Sequence, residues 1–153
     1  MFEPIGMDDT GFAVPAAKRE RLTSYYSVGE NGLELVDGPD GQWRRVPTFP
    51  SRAGGLVSTA DDWHRFALML LAEGAVDGRQ LLSAKSVRLM TTDHTTAAQR
   101  VASELFLEGQ GWGFGGSVDV AAIDPWNVLG RYGWGGGTGT AATGPPTGRT
   151  RSG

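Results

Sequence analysis

The nine residues Tyr132-Gly133-Trp134-Gly135-Gly136-Gly137-Thr138-Gly139-Thr140 include five glycines, and a backbone bare of side chains can be approached closely by another group. Tyr132 and Trp134 give the stretch an extended, half-buried character. The glycines beyond them would let a substrate carbonyl reach backbone N–H groups. Such donors, aimed where negative charge develops in acyl transfer, make an oxyanion hole. A wall of this kind does nothing without a nucleophile.

Other groups that could do chemistry are few. There is no cysteine, so disulfides, zinc-thiolate sites and thiol catalysis are excluded, while the compartment stays open between cytoplasm and periplasm or exterior. Gly111, Gly113 and Gly116 satisfy G-x-G-x-x-G. The residues after them look like a strand, whereas the dinucleotide fingerprint needs a helix N-terminus there to hold the pyrophosphate. No phosphate loop occurs. Gly115-Gly116-Ser117-Val118-Asp119 misses the nucleophile elbow G-x-S-x-G at its last position, so Ser117 reads as an ordinary strand residue. His64 and His94 are thirty positions apart, with His64 facing solvent beside Asp61 and Asp62. Neither metal nor cofactor is expected. Trp112, Trp126 and Trp134 read first as core and second as an aromatic binding wall.

The elements that must position the wall follow from pattern. Met1 to Met7 reads as the last turn of an earlier element, since Pro4 and Gly6 make a poor helix start. The Tyr25-Tyr26 pair within Leu22 to Val28, and then Gly32 to Val36, predict an antiparallel excursion. Pro47 to Gly55 is an irregular loop closed by Ser58-Thr59-Ala60-Asp61, a capping-box-like signal. The helix after it places Trp63, Phe66, Ala67, Leu70 and Leu71 on one apolar face before Gly74 ends it. Trp63→Asp is therefore expected to unfold it. Asp77-Gly78 marks a tight turn, Ser83 caps a short helix Ala84 to Met90, and Thr91 to Ala98 is a polar connection. Gly111 to Val120 alternates large residues with glycine as one strand, and with the strand from Tyr132 it would form a sheet edge of bare backbone.

The chain has 153 residues, 24 of them glycine, so it is one domain or a piece of a larger one, with a core drawn from few elements. A formal net charge of -3 argues against nucleic acid or an anionic membrane as the main partner. The longest aliphatic run, Phe66 to Ala72, is seven residues against about 20 needed to span a bilayer.

Four blocks in order, Phe2-Glu3-Pro4-Ile5-Gly6-Met7-Asp8-Asp9-Thr10-Gly11-Phe12, Gly54-Gly55-Leu56-Val57-Ser58-Thr59-Ala60-Asp61-Asp62, Gly111-Trp112-Gly113-Phe114-Gly115 and Gly133-Trp134-Gly135-Gly136, resemble the serine β-lactamase-like family. That family contains class C β-lactamases, D-alanyl-D-alanine carboxypeptidases and related esterases. The resemblance implies an α/β fold in the α+β sense, an antiparallel sheet packed by helices. It implies a hydrolase that acts on a small-molecule ester or amide through an acyl-enzyme, using a Ser in S-x-x-K and a Tyr in Y-x-N. Trp134-Gly135-Gly136 matches the family's esterase-like third motif, and Gly137 takes the place of the oxyanion donor. The other two motifs are missing: no serine here is followed three places on by Lys, and no Tyr is followed two places on by Asn. The resemblance thus implies the C-terminal portion of a domain, residues 1–140, whose nucleophile lies upstream of Met1. Inactivity alone is expected, and the alternative is a noncatalytic ligand- or partner-binding module using the glycine-rich edge. Residues 141–153, rich in Gly, Pro, Thr and Arg and free of large apolar residues, are expected not to continue the sheet but to form a disordered or aberrant tail, read out of frame.

Overall fold

The computed structural model describes residues 1–51 and 53–146 and divides into two compact units, Met1–Arg65 and Phe66–Gly153. Helices and antiparallel strands are mixed, as the α/β (α+β) expectation required. Among the described residues no helix is long and apolar enough to cross a membrane.

In the first unit, a 3-10 turn over Glu3–Ile5 ends at Gly6 with φ 72°, and Ile5 and Met7 are buried. A second 3-10 helix, Ala16–Arg21, brings Lys18 and Arg21 onto the Asp9 carboxylate. These hydrogen bonds, Lys18 first, hold the Asp9 carboxyl below the usual range against a smaller opposing effect of burial. Strands β1 (Tyr25–Gly29) and β2 (Gly32–Asp37) form the expected hairpin. Pairing Tyr26 with Leu35 and Val28 with Leu33 puts four apolar side chains on one face, and all four are exposed. Gly11 and Val57 exchange backbone hydrogen bonds of 3.0 and 2.9 Å.

Helix α1 spans Ala60–Leu71. Its cap sits one residue later than the capping-box pattern suggested: Asp62 N–H donates to Thr59 Oγ1 at 3.2 Å, while Ser58 and Thr10 share a hydroxyl hydrogen bond of 2.7 Å. The buried Asp62 carboxylate accepts from Asp9 N–H and Thr10 Oγ1, each at 2.8 Å. The buried face is rotated as well. Trp63 and Leu71 are each 46% exposed, whereas Met69, absent from the expected face, is 1% exposed. An amphipathic stripe fixes the period of a helix better than its phase when apolar residues occupy most positions, as they do from Phe66 to Ala72.

In the second unit Gly74, with φ 93°, ends α1 and donates to Met69 O at 2.8 Å. Strands β3 (Ala75–Val76) and β4 (Arg79–Gln80) flank the Asp77-Gly78 turn. Helix α2 is Ala84–Met90, with Ser83 Oγ accepting from Ser86 N–H at 3.0 Å as its cap. The expected polar connection after it contains helix α3 (Ala97–Ala102), started by a Thr96/Gln99 capping box, and α4 (Glu104–Leu107) follows. Thr-x-x-Gln is a legible start signal, but no long apolar stripe follows it.

The sheet runs in the order β5-β6-β7-β8, all antiparallel: β5 Gly111–Trp112, β6 Ser117–Val118, β7 Tyr132–Gly135 and β8 Ala141–Gly144. Two expectations are corrected here. Gly111 to Val120 is not one strand but a hairpin, turned at Gly115 with φ 89° and closed by Gly113 N–H to Gly116 O at 2.8 Å. The chain past Thr140 does continue the sheet. Residues 141–144 pair with β7 along its whole length, because a ladder is made of backbone groups and small side chains let two strands close. The remainder of the expected tail, 147–153, lies outside the described residues.

Met69→Ala is expected to cost about 2–5 kcal/mol in urea unfolding, whereas Leu68→Ala, at a position 48% exposed, is expected to cost less than about 1 kcal/mol. The larger loss at Leu68 would restore the originally expected face.

Candidate functional site

Strand β7 is not an edge over its full length. β6 pairs with it at Tyr132 and Gly133 only, while β8 pairs from Tyr132 through Gly135. Trp134 and Gly135 are thus laddered on the β8 side alone among the described residues. Beyond them the chain turns: Gly136 N–H donates to Thr140 O at 2.6 Å, and Gly139 N–H to Gly136 O at 3.1 Å. Gly137 lies inside this turn.

The glycines of the motif divide into two kinds. A Cβ on Gly133 would stand 2.3 Å from Ala142 O and 2.7 Å from Thr143 Cα, so the β7–β8 hairpin requires glycine there. A Cβ on Gly135 or Gly137 would meet nothing within 4 Å, and neither residue has a positive φ. Their lack of a side chain is explained neither by packing nor by backbone conformation. At Gly136 the nearest atom is Thr140 Oγ1 at 3.2 Å, a side-chain tip that can turn.

Trp134 meets Trp112 edge to face, with ring centroids 4.8 Å apart and planes at 86°. Phe106 completes a trio, 4.9 Å from Trp134 and 5.2 Å from Trp112. Sequence reasoning grouped Trp112 and Trp134 correctly but placed Trp126 with them, which is 65% exposed. Phe106 was missed, since α4 is a single turn that carries no periodic signal.

Three sets of contacts hold these residues in place. Tyr132 donates its hydroxyl proton to Phe114 O at 2.9 Å, and burial pushes its phenol pKa up. Its ring fills the space that Gly116 leaves, where a Cβ would lie 2.8 Å from Tyr132 Cζ. Gly113 likewise passes Met90 O, which its Cβ would meet at 2.3 Å. The G-x-G-x-x-G glycines are therefore used in packing a hairpin. Asp93 ties the connection after α2 to β5: its carboxylate accepts from Thr95 N–H at 2.8 Å, Thr95 Oγ1 at 2.5 Å, Trp112 N–H at 3.0 Å and Arg100 at 2.8 Å. Burial alone would raise this carboxyl, but the hydrogen bonds from Thr95 and Trp112, with the Arg100 charge, outweigh it and hold the pKa below the usual range. Asp119 anchors the approach to β7 through Arg131 at 2.8 Å and Val128 N–H at 2.9 Å.

The remaining candidates are occupied structurally. Ser117 Oγ donates to Gly133 O at 2.9 Å. His94 stacks on Phe114 with centroids 4.6 Å apart, and its Nε2 lies 2.7 Å from Leu89 O. His64 is exposed on α1. Among the described residues no three His, Cys, Asp or Glu side chains are grouped to hold a metal. A cleft of about 290 Å³ in the first unit is lined by Phe12, Trp43 and Phe49, with Gln42 and Ser51 as its polar side chains. It contains none of the family's motif residues.

Gly133→Ala is expected to destabilise the second unit by more than about 1 kcal/mol, because its methyl group would collide with β8 backbone. Gly135→Ala and Gly137→Ala are expected to leave stability within about 1 kcal/mol of the parent or raise it; thermal melts of the three variants check this. For Asp93 the folded pKa is lowered, so its stabilisation is present above the unfolded value of about 3.9 and is lost as pH falls through the folded value. Asp93→Asn is expected to cost about 1–3 kcal/mol at pH 7, and the gap to the parent should narrow in urea titrations below about pH 4.

Comparison with known proteins places these observations. A family model described as Beta-lactamase matches residues 1–149. The chain is 41% identical over 145 residues to "Protein Rv1367c" of Mycobacterium tuberculosis strain ATCC 25618 / H37Rv. It has the same identity to "Uncharacterized protein MT1414" of strain CDC 1551 / Oshkosh. Each alignment covers 90% of this chain and 36% of the relative, so the chain spans about a third of the length of the curated relatives it matches. The four sequence blocks, the helices with antiparallel strands and the match over 1–149 converge: the chain belongs to the Beta-lactamase family.

Proposed function

We infer that this chain supplies the third-motif wall of a serine hydrolase domain that acts on a small-molecule ester or amide through an acyl-enzyme. The wall is Trp134, Gly135, Gly136 and Gly137. The observation that carries this reading is the open space at Gly135 and Gly137, glycines that neither packing nor φ requires. Room beside bare backbone, where the β6 ladder has ended, is what a substrate lying along the strand needs. Trp-Gly-Gly in place of a lysine-bearing motif favours an ester over a β-lactam or peptide.

The chain corresponds to the C-terminal portion of such a domain. It has no S-x-x-K and no Y-x-N, so it contributes positioning and charge stabilisation but neither nucleophile nor base. Alone it is inert. A second reading, a noncatalytic binding module, is favoured by the exposure of Trp134 and Phe106 and uses the same face.

The test is to incubate the purified chain with a fluorescent fluorophosphonate probe, and separately with a chromogenic β-lactam and 4-nitrophenyl acetate. No serine should be labelled and no substrate turned over above background. Stoichiometric labelling at any of its serines would overturn the assignment. The coding sequence upstream of Met1 is expected to carry S-x-x-K and then Y-x-N in the same frame.

A further inference from the structure

We propose that Trp134, Trp112 and Phe106 form a platform that binds a flat aromatic group, making the ligand of this wall an aryl ester or aryl amide rather than a polar acyl compound. Its place in turnover rests on the serine hydrolase reading above; the binding itself does not.

An aromatic cluster that served only as core would be shut away from water. Here Trp134 is 38% and Phe106 56% exposed, though each ring has found two aromatic neighbours within 5.2 Å. The T-shaped Trp112–Trp134 pair is the preferred arrangement of two ring quadrupoles, and an incoming ring would meet further aromatic surface of the same kind. Position adds to this. Side chains alternate along β7, so the Trp134 indole stands on one face of the strand and the empty Gly135 position on the other. The β6 ladder has ended one residue earlier, at Gly133. A planar ligand lying along that side of β7 would have the indole on one flank and bare backbone on the other, its carbonyl near Gly135 to Gly137 and its ring toward Phe106. Aryl rings suit such a site because they bring area at little cost in conformational freedom.

The experiment is a titration of the whole chain with N-(2-naphthyl)acetamide, a flat amide that the chain is not expected to cleave, followed through the tryptophan indole N–H resonances. The polar comparison ligand is N-(2-hydroxyethyl)acetamide. Saturable shifts are expected at the Trp112 and Trp134 indoles and not at Trp43, Trp63 or Trp126, with no response to the polar amide. Phe106→Ser should weaken binding roughly 3- to 10-fold, the loss of one aromatic contact, while retaining the dispersed spectrum of the folded chain. Val28→Ser, which alters the exposed β1–β2 hairpin face, should leave the dissociation constant unchanged. Equal shifts at all five indoles, equal binding of the two amides, or an unchanged dissociation constant in Phe106→Ser would each overturn the proposal. Because the readout is equilibrium binding, its failure leaves the hydrolase assignment standing, and serine labelling would leave the binding result intact.

Discussion

Where β7 passes β8, Gly133 has room for a hydrogen atom and nothing larger, with Ala142 O 2.3 Å from where a methyl carbon would sit. The arrangement around the motif depends on that approach. With Gly133 seated, Tyr132 and Gly133 are paired on both sides, and the Tyr132 ring reaches across to Gly116 and Phe114. The β5–β6 hairpin is thereby fixed, and Trp112 is presented to Trp134. Asp93 secures the far side of β5 through the Trp112 backbone. A bare backbone is thus both what closes the sheet and what opens the wall, at positions two residues apart.

Local signals were legible wherever one residue type has one strong reason to be at its position. Ser83 ahead of Ala84–Met90, the Asp77-Gly78 turn and the β1–β2 hairpin all follow from capping or turn chemistry and stand where the sequence put them. Properties that depend on partners distant in sequence were not legible. The phase of α1, with Met69 rather than Trp63 buried, is set by what packs against it. The β8 strand is built from Ala141-Ala142-Thr143-Gly144, residues with no strand preference of their own apart from threonine. Their pairing comes from β7. The glycine-rich stretch was recognised as a site before any coordinates, but only coordinates separated the glycine that packing demands from those it does not.

Family membership and substrate are separate questions here. The blocks from Phe2 to Gly136 and the match over residues 1–149 identify the family. The choice among ester, amide and β-lactam lies with groups the family varies freely, and with the two thirds of the relatives' length that this chain does not match. What the chain brings to that choice is one wall and one aromatic platform.

The open edges of the two sheets differ in their capacity to recruit foreign strands. In the four-stranded sheet, β8 offers four residues and is followed by Pro145-Pro146, which have no N–H to donate, and β5 offers two. Growth from either edge would soon run out of donors. The β1–β2 hairpin has no such protection: both of its edges are open, and Tyr26, Val28, Leu33 and Leu35 give it an apolar face in water. Aggregation at high concentration should therefore begin in the first unit, away from the wall, and a lysine on that hairpin face would improve solubility without touching the site.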